Sequence, residues 1–281
     1  MKFYGFREFP FALASEPGFF FKSEAHREAL ASMLYVIQQQ KGMLLVTGEI
    51  GAGKTFLAHV LQEKLKRQSI CVYLQDPPES TRQLYRNLAQ RLGFKVPEQA
   101  EKSDIMDLLR EFLTAQSARK RLVTLIIDEA QDLKAALLGE IRRLWNWEVN
   151  GRHLLQIALI GQGQLRKLLR EPEWEALRQR IALSYHLGRL TEKEMAAYIE
   201  HRLHKAALSK PRVAFEETAL ELIYRATKGT PRLINSLCDN ALLIGYAKEI
   251  NLITGPIIIE AIKEMSCLSL PEGNALLTGR P

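Results

Sequence analysis

Residues 44–55 read LLVTGEIGAGKT. An apolar run enters a glycine-rich turn, and the chain leaves it through the helical pattern TFLAHVLQEKLKRQ. The turn fits G-x-x-x-x-G-K-[ST] at Gly48, Gly53, Lys54 and Thr55, in the strand-before, helix-after setting that gives this pattern its meaning. Each residue type has a physical reason. Glycines let successive backbone N–H groups turn inward, so Gly48, Glu49, Ile50, Gly51, Ala52 and Gly53 can cradle phosphate oxygens at the mouth of a helix. Lys54 would neutralise the β- and γ-phosphates of a nucleoside triphosphate. Thr55 would offer its hydroxyl to Mg²⁺, with Phe56 next on the same turn.

The rest of the chain continues the theme. A helix is expected over 23–40, with Leu30, Met33, Leu34 and Ile37 as its apolar stripe. Short apolar strands are expected at 43–47, 70–75, 122–128, 154–161 and 181–187, separated by helices. Among those helices is LKAALLGEIRRLWNWEV, with Leu133, Leu137, Ile141 and Leu144 on one stripe. Strands that are apolar throughout and alternate with helices predict a parallel sheet covered on both faces, an α/β fold. From Thr191 the pattern is helical only. The expected organisation is an N-terminal aromatic segment (1–22), an α/β domain (23–190), a small helical domain (191–266) and a tail (267–281).

Composition narrows the class. With 47% hydrophobic and 25% charged residues among 281, the chain is an ordinary globular one. No apolar run approaches the ~18 residues of a membrane span, and the N-terminus shows neither the core nor the cleavage site of a signal peptide, so a cytoplasmic location is expected. Cys71, Cys238 and Cys267 have no CxxC spacing and read as reduced thiols. His201 and His204 share a helix face but no third metal ligand joins them. The net charge of +7 favours phosphate-rich partners, although the excess is spread along the chain. Arg119–Arg121 and Arg142–Arg143 are short runs of a kind more often found as solvated faces.

A second constellation complements the glycine loop. In LVTLIIDEAQDL, Asp128 ends an apolar strand, where it can hold the Mg²⁺ water shell. Glu129 follows, placed to polarise an attacking water. The segment GQGQLR (161–166) imitates a dinucleotide fingerprint, but Arg166 stands where the third glycine belongs and the strand is not the first of its unit. It reads as a loop beside the γ-phosphate, with Gln162 as a polar sensor. Arg178 and Arg180 precede the fifth strand and Arg232 opens a helix in GTPRLIN. Arginine can spread charge over a γ-phosphate, but on residue type alone surface ion pairs are the safer reading of these positions.

Taken together, LLVTGEIGAGKT, LIIDEAQDL, LLQIALIGQGQL, LRQRI and GTPRLINSLCDNAL resemble the AAA+ superfamily, and more narrowly its ExeA-type members, the general secretion pathway protein A-like ATPases. The opening FYGFREFPFALASEPGFFFKSEAHREAL is similar to that family's N-terminal segment, and the likeness runs from about Phe3 to about residue 265. The resemblance implies a five-stranded sheet of order 5-1-4-3-2, a helical lid, and ATP bound between domains and between subunits. It casts Gln162 as sensor 1, Arg180 then Arg178 as arginine-finger candidates, and Arg232 as sensor 2. By the same resemblance, the segment near Pro10 and Phe11 covers the adenine, and Gln75 restrains Glu129. Two departures are Gly163, where relatives often carry proline, and Phe56, where a second threonine is common. The chain stops soon after the lid, where secretion members often continue through a membrane span into a peptidoglycan-binding domain.

Two functional expectations follow. One is an ATPase that oligomerises, as a ring or filament, and remodels or positions a protein partner of a secretion, pilus or polysaccharide-export machine in the envelope. Its location would be cytoplasmic, or peripheral at the inner membrane through that partner. The other is an ATP-switched regulator bound to duplex DNA, favoured by the positive charge.

Overall fold

The computed structural model describes residues 2–12, 17–265 and 268. The chain divides into two bodies, one of residues 24–50 and 54–187, the other of residues 1–23, 51–53 and 188–281.

The first body is α/β. Its elements in chain order are α1 (Glu24–Gln38), β1 (Met43–Gly48), α2 (Lys54–Leu65), β2 (Ser69–Leu74), α3 (Thr81–Arg91), α4 (Lys102–Ala118), β3 (Leu122–Ile127), α5 (Ala135–Trp145), β4 (Glu148–Val149), β5 (Arg152–His153), β6 (Gln156–Gly161), α6 (Gly163–Leu168), α7 (Glu175–Arg178) and β7 (Ile181–Leu187). Five strands form one sheet in the order β2-β3-β6-β1-β7 with every pairing parallel. Counted along the chain, that is the expected 5-1-4-3-2. The central strands β1 and β6 are buried at every position, whereas the edge strands β2 and β7 mix buried with partly exposed residues. A central parallel strand is covered on both faces and an edge strand is not, so only the former read as unbroken apolar runs.

Three details differ from expectation. On α1 the buried residues are His26, Ala29, Met33, Val36 and Ile37, a stripe rotated away from Leu30 and Leu34. The fourth sheet strand begins at Gln156 because Arg152–His153 turns back on Glu148–Val149 as an antiparallel hairpin. Asn150 and Gly151, with φ of 52° and 72°, form its tip, the left-handed pair that two-residue hairpins favour. Third, α4, α3 and α5 enclose a polar cluster. Glu140, only 3% exposed, accepts from Tyr85 Oη at 2.6 Å and pairs with Lys102 at 3.1 Å and Arg143 at 3.2 Å.

The second body is helical, with α8 (Glu192–Ala206), β8 (Ala214–Phe215), α9 (Glu217–Thr227), α10 (Pro231–Ala247), β9 (Leu252–Ile253) and α11 (Gly255–Glu264). The two-residue strands β8 and β9 pair in parallel. Helix α8 starts at a capping box in which Thr191 and Glu194 satisfy each other's backbone N–H.

The N-terminal segment is part of this body's core. Tyr4, Phe6, Phe11 and Phe19 are buried with Ile199, Leu203, Leu237 and Ile258. Tyr4 Oη donates to Leu242 O (3.1 Å) and Ile250 O (3.3 Å). Arg202, itself buried, donates to Pro10 O (2.5 Å) and Ala12 O (2.9 Å) and lies over the Phe19 ring. Cys71 is partly buried, Cys238 is fully buried, and both are free thiols. Cys267 and the rest of the tail, apart from Leu268, lie outside the described residues.

Candidate functional site: a phosphate loop at the carboxyl edge of the sheet

Sheet register decides which residues meet. Thr47 of β1 stands opposite Gly161 of β6, and Ile127 of β3 opposite Leu159. The carboxyl ends of three neighbouring strands therefore release Glu49, Gln162 and Asp128 at one edge of the sheet. In open parallel sheets ligands bind outside that edge.

The loop after β1 has its strain where glycine can absorb it. Gly51 and Gly53 have φ of 79° and 95°, left-handed values that turn successive N–H groups to one side. Lys54 is buried, and its ammonium donates to Gly48 O (3.0 Å) and Glu49 O (2.9 Å). The cation is thus fixed on the inner side of the loop it would serve. In the helical body, Arg232 N donates to Gly51 O at 3.3 Å, and a Cβ placed on Gly51 would come within 2.7 Å of Arg232 Cβ. The side chain of Arg232 is exposed.

Beyond β3, Asp128 is almost wholly buried, and both carboxylate oxygens are held. Oδ1 accepts from Glu129 N and Oδ2 from Tyr73 Oη, each at 2.9 Å. Burial and the neighbouring Asp128 carboxylate push the Tyr73 hydroxyl well above its ordinary pKa, so it stays a donor. Glu129 sits at φ 47°, ψ 35°, a left-handed conformation that costs a residue with a Cβ of order 1 kcal/mol or more. Its carboxylate accepts from Gln131 Nε2 at 2.7 Å. The same Gln131 amide accepts from Gln162 N at 2.8 Å. Gln75, the residue expected to restrain Glu129, is exposed and has no bond to it. Gln131 occupies that place.

Chemistry at this edge suits a magnesium-bound nucleoside triphosphate. The Thr55 hydroxyl and the Asp128 carboxylate are hard oxygen donors of the kind Mg²⁺ takes. Positive-φ glycines and a buried lysine suit phosphate oxygens. Among the described residues no cluster of three or more His, Cys, Asp or Glu forms a metal site of its own.

The structure separates Arg178 and Arg180 from this edge. Arg180 O accepts from Met43 N at the start of β1, so Arg178 and Arg180 lie at the amino edge of the sheet. A six-residue strand spans about 20 Å. Arg178 is exposed with one bond to Arg170 O, while Arg180 is tied to Ala176 O and Asn146 Oδ1. Pro10 and Phe11 are buried, and Phe11 meets Phe215 edge to face. Sequence reasoning missed Tyr73 and Gln131. Gln131 stood in the quoted DEAQ run, whereas Tyr73 lies 55 residues from its partner and carried no local signal.

Comparison with known proteins agrees with the geometry. Residues 37–169 match a family model described as "AAA domain". The chain is 35% identical over 247 residues to general secretion pathway protein A of Aeromonas hydrophila, covering 88% of this chain and 45% of that one, so it spans less than half of that relative's length. Its fold is similar to the Aeropyrum pernix ORC2 protein (TM-score 0.68, 16% identity, 89% of this chain and 72% of that one). It is similar also to the CDC6P protein of Pyrobaculum aerophilum (0.69, 16%, 97% and 74%) and to the RuvB Holliday junction branch migration motor of Thermotoga maritima (0.54, 18%, 89% and 72%). No helix among the described residues is long and apolar enough to cross a membrane. Residues 37–169 are an AAA domain, in a chain similar to general secretion pathway protein A.

Proposed function

We propose that this chain binds ATP with Mg²⁺, hydrolyses it in an assembly of several copies, and uses the cycle to remodel or position a protein partner of an envelope assembly system. The observation that carries the reading is the gathering of Lys54, Asp128, Glu129 and Gln162 at the carboxyl edge of one sheet while Arg178 and Arg180 stand at the other. Gly48 to Gly53 cradle the phosphates, Lys54 neutralises them, and Thr55 and Asp128 hold the metal, with Phe56 on the same helical turn. The metal, when bound, withdraws charge from the β- and γ-phosphate oxygens. Glu129 orients and deprotonates the attacking water, and Gln162 binds the γ-phosphate. Arg232, whose backbone bonds Gly51 of the same body, is the cation proposed for that stretch of the loop. Arginines about 20 Å away along the same sheet cannot reach their own nucleotide, so they act on that of a neighbouring copy.

A trans arginine is worth roughly 10³–10⁵ in rate. Turnover per subunit should therefore rise steeply with protein concentration. Lys54→Ala should lose nucleotide binding or turnover. Glu129→Gln should keep binding and lose turnover, and parental turnover in that variant would sink the assignment.

A second reading, an ATP-switched binder of duplex DNA, is favoured by the net charge of +7. Steady-state ATPase assays with and without duplex DNA at two salt concentrations separate the two. Stimulation that fades with salt supports the DNA switch, because phosphate contacts release counterions. A rate that ignores DNA but grows with concentration supports the self-assembling motor.

A further inference from the structure

We propose that Gln131 is a positioning residue that couples the Glu129 carboxylate to the loop carrying Gln162, so that the state of the γ-phosphate side of the site is passed to the base through one amide. The inference rests on the proposed hydrolytic role of Glu129. Three bonds define the amide. Nε2 donates to Glu129 Oε2 at 2.7 Å and to Asp132 Oδ2 at 3.0 Å, and Oε1 accepts from Gln162 N at 2.8 Å. The orientation is fixed by chemistry. A flipped amide would set its NH₂ against the Gln162 N–H and its oxygen against two carboxylates, losing all three bonds.

The amide's seat is built on both sides. Ala130–Asp132 form a 3-10 turn whose first bond runs from Asp132 N to Glu129 O at 3.0 Å. That turn and the left-handed Glu129 bring the side chains of residues 129 and 131 to the same place. On the other side, Gly161 leaves room. A Cβ there would come 2.8 Å from Gln131 Oε1, closer than real Cβ atoms approach, and 3.1 Å from Gln131 N, a tight contact. Gln162 begins α6 at φ −83°, ψ 168°, outside the helical region, and its side chain forms no cap. Its backbone N–H is tied to Gln131 and its carbonyl accepts from Leu165 N at 3.0 Å, so a ligand that draws on its side chain pulls on the same bonds. Any shift moves the acceptor of Gln131, and with it the donor on Glu129. Binding linkage makes the coupling reciprocal: a Glu129 held in place also favours one position of the loop.

The test compares Gln131→Leu, which loses both sides of the bridge, with Gln131→Glu, which keeps an acceptor for Gln162 N–H but replaces the donor to Glu129 with a repelling carboxylate. Melting temperature, the Kd of a fluorescent ATP analogue, kcat and KM are measured, with Glu129→Gln alongside. The expected result is an unchanged Kd and KM within about twofold and a kcat at least tenfold lower in both variants. If Gln131 merely anchored the loop, Gln131→Glu would retain parental kcat, and that result would overturn the coupling. A kcat within twofold of the parent in Gln131→Leu, while Glu129→Gln is inactive, would overturn it too. Parental turnover in Glu129→Gln overturns the hydrolytic reading itself, and this inference with it. Should Gln131→Leu fail to fold, Gly161→Ala displaces the same amide from the opposite side and should lower kcat at unchanged Kd; parental kcat there counts against the proposal.

Discussion

At the scale of single residues, Asp128 depends on a neighbour from another strand. Tyr73 Oη fixes one of its two oxygens, and a partner that orients a metal-binding carboxylate commonly governs 10–100-fold in affinity. Tyr73→Phe should therefore raise the Mg²⁺ concentration for half-maximal ATPase activity about tenfold while leaving the fold intact; a metal titration of the variant checks it. Glu140 gives a prediction of another kind. Burial alone would raise its pKa, but hydrogen bonds from Tyr85 and Lys102 and the charges of Lys102 and Arg143 outweigh burial and hold the carboxyl below its ordinary value. A carboxyl depressed in the folded state stabilises above its unfolded pKa and loses that contribution as pH falls through the folded one. Glu140→Gln should cost about 2 kcal/mol at pH 7, and the gap from the parent should close below about pH 4. Urea unfolding at a series of pH values reads this directly. The places of Lys54, Asp128 and Glu129 beside strand ends could be read locally, because each is set by spacing along the chain. Tyr73 was not, because what it does depends on β2 lying beside β3.

At the scale of elements, periodicity found the strands and helices and mistook some of their faces. On α1 the expected stripe was Leu30, Met33, Leu34 and Ile37, yet packing buried His26, Ala29 and Val36 beside Met33 and Ile37 and left Leu30 and Leu34 partly exposed. Tertiary contact, not residue size, chose the face. The hairpin of β4 and β5 did have a local signal, Asn150–Gly151, overshadowed by the long apolar run that follows. The N-terminal segment shows the opposite case: its aromatic character was plain, but its place in the helical body was not, because its partners come some 190 to 250 residues later. Arg202 holds it by two carbonyls and a ring, with its guanidinium steadied by the Tyr198 hydroxyl of its own helix. Arginine's planar fork makes several directed bonds that a lysine ammonium cannot reproduce. Arg202→Lys should therefore loosen the segment, with limited proteolysis cutting before residue 20 at least tenfold faster than in the parent and the α/β body unaffected.

At the scale of the whole molecule, the proposed site needs more than one chain, and that can be tested by mixing. A Lys54→Ala subunit has a disabled phosphate loop but both arginines. A subunit with Arg178→Ala and Arg180→Ala has the reverse. Each alone should be nearly inactive. An equimolar mixture should recover a measurable fraction of parental ATPase activity, because the intact loop of one meets the intact arginines of the other; no recovery would argue against a trans arginine. The fold class was legible because strand-helix alternation and the glycine loop leave few topologies open; the strand order was implied by the resemblance to the AAA+ superfamily. The division of the chain was less so. The pattern of elements changes near residue 190, but no local feature announces that the described residues of the N-terminal segment pack with the helices that follow it.

That discontinuity has a consequence for how the protein is made. Tyr4 waits for Leu242, 238 residues later, before its hydroxyl finds a carbonyl. At ~5–20 residues per second of synthesis, the wait is roughly 10–50 s. During it the α/β body, whose sheet is complete at Leu187, can fold, while the emerged N-terminus, with Tyr4, Phe6, Phe11 and Phe19, still lacks the core that will cover it. The nascent chain thus presents a sticky aromatic leader for most of its synthesis. A chaperone that binds such peptides would meet this one early, and release it only as the last helix leaves the ribosome.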